Sequence, residues 1–342
     1  MTKTKKRGIA SLGTLVVVAA VYVLMRVFIA SGSLSAYVIG MINLCCINVI
    51  AAVSLNMVTG LMGQLVLGHA GFMLVGAYAT SIFAKESGMA LGASLPIGLV
   101  LAGVLAAVTG LLIGIPALRL RGDYLAIITL GFGKIIEVLA RYFKGITNGA
   151  KGYSGFPTFN VNKQPDGLFS YVFLVAAFVI FFSYTFGTSR HGRAVLAIRE
   201  DEIAAENSGI NTTYYKLLTF TLSAFFAGVA GGFLAQYVSI IDPSKYDFNF
   251  SIEILMMVVL GGMGSITGSV ISASVLTLLP ELLRGFAQYR MLIYSVVLII
   301  VMLFRPKGLL GRAEIQVIKP FEWLLRKFGK KPAASGKGGE GA

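Results

Sequence analysis

Long runs of apolar residues recur along nearly the whole chain, and short polar stretches separate them. A membrane-spanning helix needs about 20 predominantly apolar residues. Runs of this kind occupy residues 8–30, 36–59, 70–84, 91–118, 124–140, 168–187, 215–240 and 290–305, and an interrupted pair occupies 252–283. The pattern therefore predicts an all-α, polytopic membrane protein with about nine to ten transmembrane or half-membrane helices.

The composition supports a chain that lies largely in lipid. Of the 342 residues, 56% are hydrophobic and only 13% are charged, whereas soluble domains are about 25% charged. The apolar content excludes a disordered chain. Two adjacent cysteines inside an apolar run exclude a disulfide-rich scaffold. The 41 glycines exceed the usual share of about 7%, which suits helix breaks and close helix packing.

The basic residues predict the orientation, because cytoplasmic loops carry an excess of Lys and Arg. With the amino terminus placed in the cytoplasm, 19 of the 29 basic residues fall inside, nine fall outside, and Lys134 lies within a span. Both termini are then cytoplasmic. The net charge of +14 follows from this distribution between spans, so no nucleic-acid partner is expected.

The same threading requires the segment 252–283 to begin and end outside. A single helix of its 32 residues would be about 48 Å long, which is too long for a hydrocarbon core of about 30 Å. A glycine-rich stretch with Gly261, Gly262, Gly264 and Gly268 divides the segment. The two parts are predicted to be either a re-entrant pair of half-helices or two short tilted spans.

No soluble domain of useful size remains between the spans. Residues 1–312 are predicted to form a single transmembrane domain, with an external loop at about 141–167 and a cytoplasmic loop at about 188–214. Residues 313–342 are predicted to form a basic cytoplasmic tail. Its end is rich in Ala, Gly, Ser and Lys and is expected to be partly disordered.

The chain lacks the patterns of several catalytic and metal-binding sites. It has two histidines, His69 and His191, and no HExxH, CxxC or Cys/His cluster, so no metal site is expected. It has no P-loop that would cradle phosphates, so no bound nucleotide is expected. An intramembrane enzyme is a rival interpretation. It is disfavoured because Ser154, in a GxSG pattern, and His191 fall on opposite sides of the predicted membrane.

A glycine-rich segment with two polar side chains links the second and third apolar runs. It includes Gly60, Gly63, Gln64, Gly68 and His69. Irregular backbone at membrane depth is tolerated where it lines a cavity or is buried in protein, and transporters place substrates at such breaks. Two interpretations stay open, namely a lining of the translocation path and a tight turn that allows close packing.

A pair of ionisable residues lies within the run 124–140. Lys134 and Glu137 are three positions apart, so they share one face of a helix. Ionisable groups within a span normally face the interior of the bundle and pair with each other. The pair is interpreted either as part of the path or gate, or as a buried structural ion pair.

The cytoplasmic segment 189–211 is predicted to form one short amphipathic helix. Its apolar positions include Val195, Ile198 and Ile203, and Gly209 is placed to end the helix. Such a helix is suited to docking into a groove of a partner protein. A surface helix without that role is the alternative.

The segment resembles the EAA coupling loop of ABC-importer permeases, with Glu202, Ala204, Ala205 and Gly209 in the matching places. The chain as a whole resembles the LivM-type membrane subunits of branched-chain amino-acid importers. The matching stretches are, in order, residues 56–78, 119–133, 192–211, 214–232, 258–268 and 305–311. Six ordered matches across nearly the whole chain are far more specific than any one glycine motif.

The resemblance implies the permease subunit of an ATP-binding-cassette importer in the inner membrane of a bacterium or archaeon. It implies a homologous permease partner (a heterodimer rather than a homodimer), two ATPase subunits, a periplasmic or lipid-anchored substrate-binding protein and surrounding membrane lipid. ATP and Mg would be used by the ATPases, with no cofactor bound by this chain. Arg199 and the following residues to Gly209 would transmit ATPase closure, and breaks near 60–70 and 261–268 would line the path.

The implied substrates are leucine, isoleucine and valine, moved by alternating access. Related permeases for urea, short amides or other small solutes are the alternative, and an ATP-independent carrier is a further one. The sequence departs from the family at two places. After Gly133 the family usually has Glu and then Arg, whereas this chain has Lys134 and then Glu137, and Val66 replaces a serine. The first departure reverses the polarity of a charged pair, and the second removes one hydroxyl from the break.

Overall fold

The structure is a computed structural model. It describes residues 18–120, 122–159 and 165–283, and beyond these only residues 289, 295–296, 299, 303–304, 308–309 and 311. The start of the predicted span 8–30, most of the predicted span 290–305 and the predicted tail 313–342 lie outside the described residues. One compact unit comprises Phe28–Glu314, and a second comprises the two chain ends. All contacts given below lie within the first unit.

The described part of the chain is helical, and its only β pairing is one isolated bridge. Its helices are α1 (Val18–Ala30), α2 (Ala36–Asn56), α3 (His69–Glu86), α4 (Leu91–Ala117), α5 (Asp123–Tyr142), α6 (Lys144–Thr147), α7 (Pro165–Thr188), α8 (Arg190–Glu200), α9 (Glu202–Asn207), α10 (Thr212–Val238), α11 (Phe248–Gly261) and α12 (Ile266–Leu282). Single turns occur at Met57–Met62 (π), Gly149–Lys151 and Pro243–Lys245 (both 3₁₀).

Four stretches are long and apolar enough to cross a membrane, namely Ala36–Met62, Leu91–Ala117, Gly167–Thr188 and Thr212–Val238. Shorter apolar helices accompany them at α1, α11 and α12. The predicted all-helical class of multi-pass membrane protein is therefore confirmed. The predicted span 124–140 corresponds to α5, whose ionisable residues set it apart from those four stretches.

Helix α10 packs against α2, α3 and α4 and forms the centre of the bundle. The approach is close because glycines face the neighbouring helices. A Cβ added to Gly228 would lie 2.6 Å from the Ala102 carbonyl oxygen of α4, and one added to Gly232 would lie 2.9 Å from Leu99. The two glycines have the GxxxG spacing that lets helix backbones approach in membranes. This packing holds the helices that carry the glycine-rich breaks.

Segments that the sequence predicts to be external meet at one end of the bundle. Tyr153, in the loop 141–167, pairs with Ile241 through two backbone hydrogen bonds of 2.9 Å. The ammonium of Lys85, near the end of α3, lies 5.1 Å from the centre of the Tyr153 ring. The end of α3, the segment before α7 and the segment after α10 are thereby joined.

The segment 252–283 is divided into two helices. Helices α11 and α12 have 14 and 17 residues, or about 21 and 26 Å at 1.5 Å per residue. Gly262 and Gly264 between them have φ values of 109° and 95°, which glycine adopts without a Cβ penalty. Ser265 then starts α12 by accepting a hydrogen bond from the Gly268 amide at 3.0 Å. The two helices pack against each other and form a helical hairpin.

The segment 189–211, which the sequence predicts to be cytoplasmic, forms two helices, so the prediction of a single helix is wrong. The carboxylate of Asp201 accepts hydrogen bonds from the Ile203 and Ala204 amides at 2.9 and 3.0 Å. Because Asp is a strong N-cap, α8 stops there and α9 begins. Gly209 follows α9 with a φ of 81°, which agrees with its predicted place beyond a helix end.

Candidate functional site

The first glycine-rich break begins where α2 ends. The π-turn Met57–Met62 continues α2, and Gly63 then leaves the helix with a left-handed backbone at φ 74°. The chain stays non-helical until α3 starts at His69. A Cβ added to Gly68 would overlap with the carbonyl of Thr129 in α5. The break therefore runs against α5 at a point where only glycine fits.

Asn56 ties this break to the second one. Its side-chain NH₂ donates to the Ser265 carbonyl at 3.0 Å, and its side-chain oxygen accepts from the Gly264 amide at 2.9 Å. The residue is 1% exposed, and hydrogen bonds in such a dry setting are electrostatically stronger than in water. A Cβ added to Gly60 would overlap with both Asn56 and Gly264. Asn56, Gly60, Gly63, Gly264 and Ser265 form one connected unit, called here the break cluster.

The side chain of Arg199, in α8, reaches the break cluster from the predicted coupling loop. Its guanidinium donates a hydrogen bond to the Gly60 carbonyl. A Cβ added to Gly63 would lie 2.8 Å from Arg199 Cγ, and one added to Gly264 would lie 3.0 Å from Arg199 Nη1. One side chain of the predicted coupling loop thus contacts both breaks.

His69 is buried, whereas Gln64, five residues earlier in the same break, is not. It is 1% exposed, and its Nε2 lies 2.9 Å from the Ser54 hydroxyl. The Ser223 hydroxyl of α10 donates to the Ser54 carbonyl at 2.7 Å, so His69 belongs to the α2–α3–α10 interface. Gln64 is partly exposed, whereas Val66 is 2% exposed and packs in the apolar core.

Gly261, Gly262 and Gly268 hold the hairpin together. A Cβ added to Gly268 would overlap with the Gly261 carbonyl, so the two arms meet at their backbones. The carboxyl-terminal end of the described chain packs on the same turn. The Leu309 amide donates to the Leu260 carbonyl at 2.7 Å, and a Cβ added to Gly308 would lie 2.5 Å from backbone atoms of Gly262.

The remaining coupling-loop residues divide between an anchored face and an exposed one. The Glu202 carboxylate pairs with Lys216 of α10 at 2.8 Å, and the Lys216 side chain is only 4% exposed. Ala205 is buried, whereas Ala204 is exposed and Ile203 is 63% exposed. Helix α9 is therefore fixed to α10 on one side and presents small apolar side chains on the other.

Glu137 is held by two cations of its own helix. Lys134 Nζ lies 2.8 Å from one carboxylate oxygen, and Arg141 contacts the other. The Glu137 side chain is 1% exposed, whereas those of Lys134 and Arg141 are 62% and 42% exposed. The structure brings the predicted pair together and adds Arg141, which the sequence analysis assigned to the outer loop. Its i, i+4 spacing from Glu137 was the available signal.

Comparison with known proteins places these features in a family. Residues 37–305 match the family described as "Branched-chain amino acid transport system / permease component". The chain is 38% identical over 299 residues to the high-affinity branched-chain amino acid transport system permease protein LivM of Salmonella typhimurium, with 79% of this chain and 69% of that protein covered.

Two further relatives extend the comparison. The permease protein LivH of Escherichia coli is 28% identical over 291 residues, which cover 78% of this chain and 92% of LivH. The probable permease protein LivM of Methanocaldococcus jannaschii is 24% identical over 276 residues, which cover 74% of this chain and 79% of that protein. No solved structure matches the chain.

Proposed function

This chain belongs to the permease family of branched-chain amino acid transport systems, and we propose that it is the membrane-spanning permease subunit of an ATP-binding-cassette importer. It moves leucine, isoleucine and valine across the cytoplasmic membrane by alternating access. The chain forms part of the path and carries no catalytic site of its own. Separate ATPase subunits bind and hydrolyse ATP with Mg.

The observation that carries the proposal is the position of Arg199 between the coupling loop and the two breaks. Closure of the ATPases on ATP displaces the loop that is docked on them. Because Arg199 bonds to Gly60 and packs against Gly264, movement of α8 is transmitted to both breaks at once. Interrupted helices are the places where a bundle bends most readily, so this movement opens the path toward the cytoplasm.

The proposed assembly contains a second, homologous permease. The chain is similar both to LivM and to LivH of Escherichia coli, which supports a heterodimer of related subunits. The exposed face of α9, with Ile203 and Ala204, docks on an ATPase. A periplasmic or lipid-anchored binding protein delivers substrate at the opposite end, where Tyr153 pairs with Ile241.

The proposed orientation puts α8 and α9 in the cytoplasm of a bacterium or archaeon. The excess of basic residues in the coupling loop and at the chain ends supports it. Helix α2 then runs inward, the break cluster lies toward the cytoplasmic surface, and α3 starts within the membrane and runs outward. In this arrangement the chain crosses the membrane nine to ten times. Both termini are cytoplasmic, and residues 313–342 form a basic tail there.

Reconstitution of the complete transporter tests the function. This chain, its partner permease, the ATPases and the binding protein are placed in proteoliposomes, and uptake of radiolabelled leucine is followed. We expect uptake that requires ATP, the ATPases and the binding protein. Uptake without the ATPases would indicate an autonomous carrier. A cognate binding protein that binds urea or a short amide, and none of leucine, isoleucine and valine, would overturn the substrate assignment.

A further inference from the structure

A cavity of about 270 Å³ lies where the start of α3, the middle of α5 and the start of α11 meet. Its volume is just below the roughly 300–1,000 Å³ of sites for drug-sized ligands, so it suits a single small solute. Lys134 and Asp247 contribute opposite charges to its wall, and Leu67, Leu130 and Phe248 contribute apolar surface. None of the break-cluster residues lines it.

In the proposed orientation α5 crosses the membrane, and Lys134 then lies at membrane depth without being buried by this chain. Helix α5 has 20 residues, about 30 Å, and Lys134 is eight residues before the end of the helix at Tyr142, or about 12 Å from it. Its side chain is 62% exposed. Charged side chains at such depth face protein or a water-filled cavity rather than lipid. In the proposed assembly, the open side of the cavity therefore faces the partner permease and the path between the two subunits.

Glu137 lines the cavity beside Lys134 and shares its negative charge with Arg141, which lies outside the lining. Glu137 pairs with both Lys134 and Arg141, so the three groups together carry one net positive charge. An ammonium has three donors, and Glu137 takes one of those of Lys134. The exposed ammonium is thus placed to receive an anionic group from a ligand.

A carboxylate stands on another wall of the same cavity. One oxygen of Asp247 caps α11 by accepting from the Phe250 amide at 3.0 Å, and the other accepts from the Asn249 side chain at 2.9 Å. An ionised carboxylate has about four lone-pair sites, so it retains acceptor capacity. Among the described residues, Lys134 forms its ion pair with Glu137 and not with Asp247. Separated charges of opposite sign match the two ends of a zwitterion.

The backbone at the start of α3 competes only weakly for an anion. Helix N-termini bind anions through free N–H groups, but several here are already used. The Leu67 amide donates to the Thr129 hydroxyl at 3.2 Å, and the Ala70 amide donates to the Ser251 hydroxyl at 3.1 Å. The Gly71 amide donates to a neighbouring carbonyl at 3.0 Å. The side-chain cation is therefore the main anion receptor of the cavity.

We propose that this cavity binds the amino-acid substrate, with its α-carboxylate at Lys134, its α-ammonium at Asp247 and its apolar side chain against Leu130 and Phe248. The proposal rests on the proposed function, since an amino-acid importer brings such a zwitterion to this depth. It gives a substrate-recognition role to Lys134, beyond its ion pair with Glu137.

Leucine uptake by the reconstituted complete transporter tests the site. Lys134→Met removes the charge and keeps an apolar stem, whereas Lys134→Arg keeps the charge. Asp247→Asn removes a charge but retains a good helix cap. The matched controls are Lys144→Met, at an exposed lysine outside the cavity, and Asp242→Asn. Asp242 also caps a short helix, and a hydrogen bond from Ser244 lowers its pKa. Because the binding protein is unchanged, altered uptake reports on the permease.

We expect Lys134→Met to lower the maximal rate of uptake at least tenfold and Asp247→Asn at least fivefold. ATP hydrolysis stimulated by the loaded binding protein should stay within twofold of wild type, as should uptake by both controls. Lys134→Arg should keep at least a third of wild-type uptake. Together these results would show that Lys134 and Asp247 recognise the charges of the substrate and do not merely stabilise the fold.

Three results would overturn the site. Uptake within twofold of wild type in Lys134→Met and Asp247→Asn would leave the permease function standing and remove the binding site. Joint loss of uptake and stimulated ATP hydrolysis in Lys134→Met, without rescue by Lys134→Arg, would indicate a structural ion pair. A wild-type transporter that carries urea and not leucine would overturn the proposed function and the zwitterion site together.

Discussion

The side chain of Arg199 donates a hydrogen bond to the backbone carbonyl of Gly60, although the two residues are 139 positions apart. The bond joins α8, in the coupling loop, to the turn that ends α2. Asn56 extends the connection to Gly264, in the hairpin. The surface on which an ATPase is proposed to dock and the two breaks in the bundle are therefore one connected structure.

Gly60→Ala should destabilise the protein, because the new Cβ overlaps with Asn56 and Gly264. Overpacking of a tight site costs about 1–3 kcal/mol. Gly131→Ala is the matched control, since nothing lies within 4 Å of its added Cβ and Ala favours a helix over Gly by about 1 kcal/mol. Thermal unfolding of the purified protein in detergent measures the stability of each variant against wild type. Equal midpoints for the two variants would contradict the close approach at Gly60.

Asn56→Leu should loosen the contact between the breaks. The change leaves the Gly264 amide without the Asn56 oxygen that accepts its hydrogen bond, and an unsatisfied buried polar group costs about 1–3 kcal/mol. The Ser265 carbonyl keeps the hydrogen bond from the Ser269 amide at 3.1 Å. Hydrogen exchange followed by mass spectrometry should show faster exchange at the turn between α11 and α12. Asn48→Leu is the control, because Asn48 bonds to the Thr277 hydroxyl at 2.8 Å, away from the break cluster. Unchanged exchange at Gly264 in Asn56→Leu would remove Asn56 as the link.

Glu202→Gln should detach α9 from α10. The Lys216 ammonium, on a side chain that is 4% exposed, loses its carboxylate, and breaking a buried pair costs roughly 3–5 kcal/mol. Because the Glu202 side chain is 25% exposed, we expect a smaller loss, about 1–3 kcal/mol. The double variant Glu202→Gln with Lys216→Met should recover part of the lost stability, because no buried ammonium is then left without its carboxylate. A single variant as stable as the double one, with ATPases that still co-purify, would show that the pair does not anchor α9.

The helical class and the places of both breaks follow from local features of the sequence. A cluster of glycines inside an apolar run marks a helix break, and this pattern can be read from neighbouring residues alone. The breaks at Gly60–Gly68 and Gly261–Gly268 were therefore predictable from the sequence. The contact between the breaks does not follow, because Asn56 and Gly264 are 208 positions apart and meet only through the packing of α2 on the hairpin. The same apolar run also contains Asn43 and Asn48, so nothing local distinguishes Asn56 from them.

Two misjudged features had local signals. Asp201 is a strong helix cap in the middle of the coupling segment, and it divides the predicted single helix. Arg141 is four residues after Glu137 and completes its ion pairs. The burial of His69 against Ser54 has no such signal, since it depends on how α2, α3 and α10 come together.

The number of leucine molecules imported per ATP hydrolysed by an Arg199→Gln transporter tests the coupling role most directly. The change removes the guanidinium that bonds to Gly60 and leaves the Glu202–Lys216 anchor in place. Arg193→Gln is the control, because Arg193, also in α8, donates to the Thr188 carbonyl at 3.2 Å. We predict an assembled Arg199→Gln complex with ATP hydrolysis within twofold of wild type and at least tenfold less uptake, and a control like wild type. A wild-type ratio of leucine to ATP in Arg199→Gln would contradict this role.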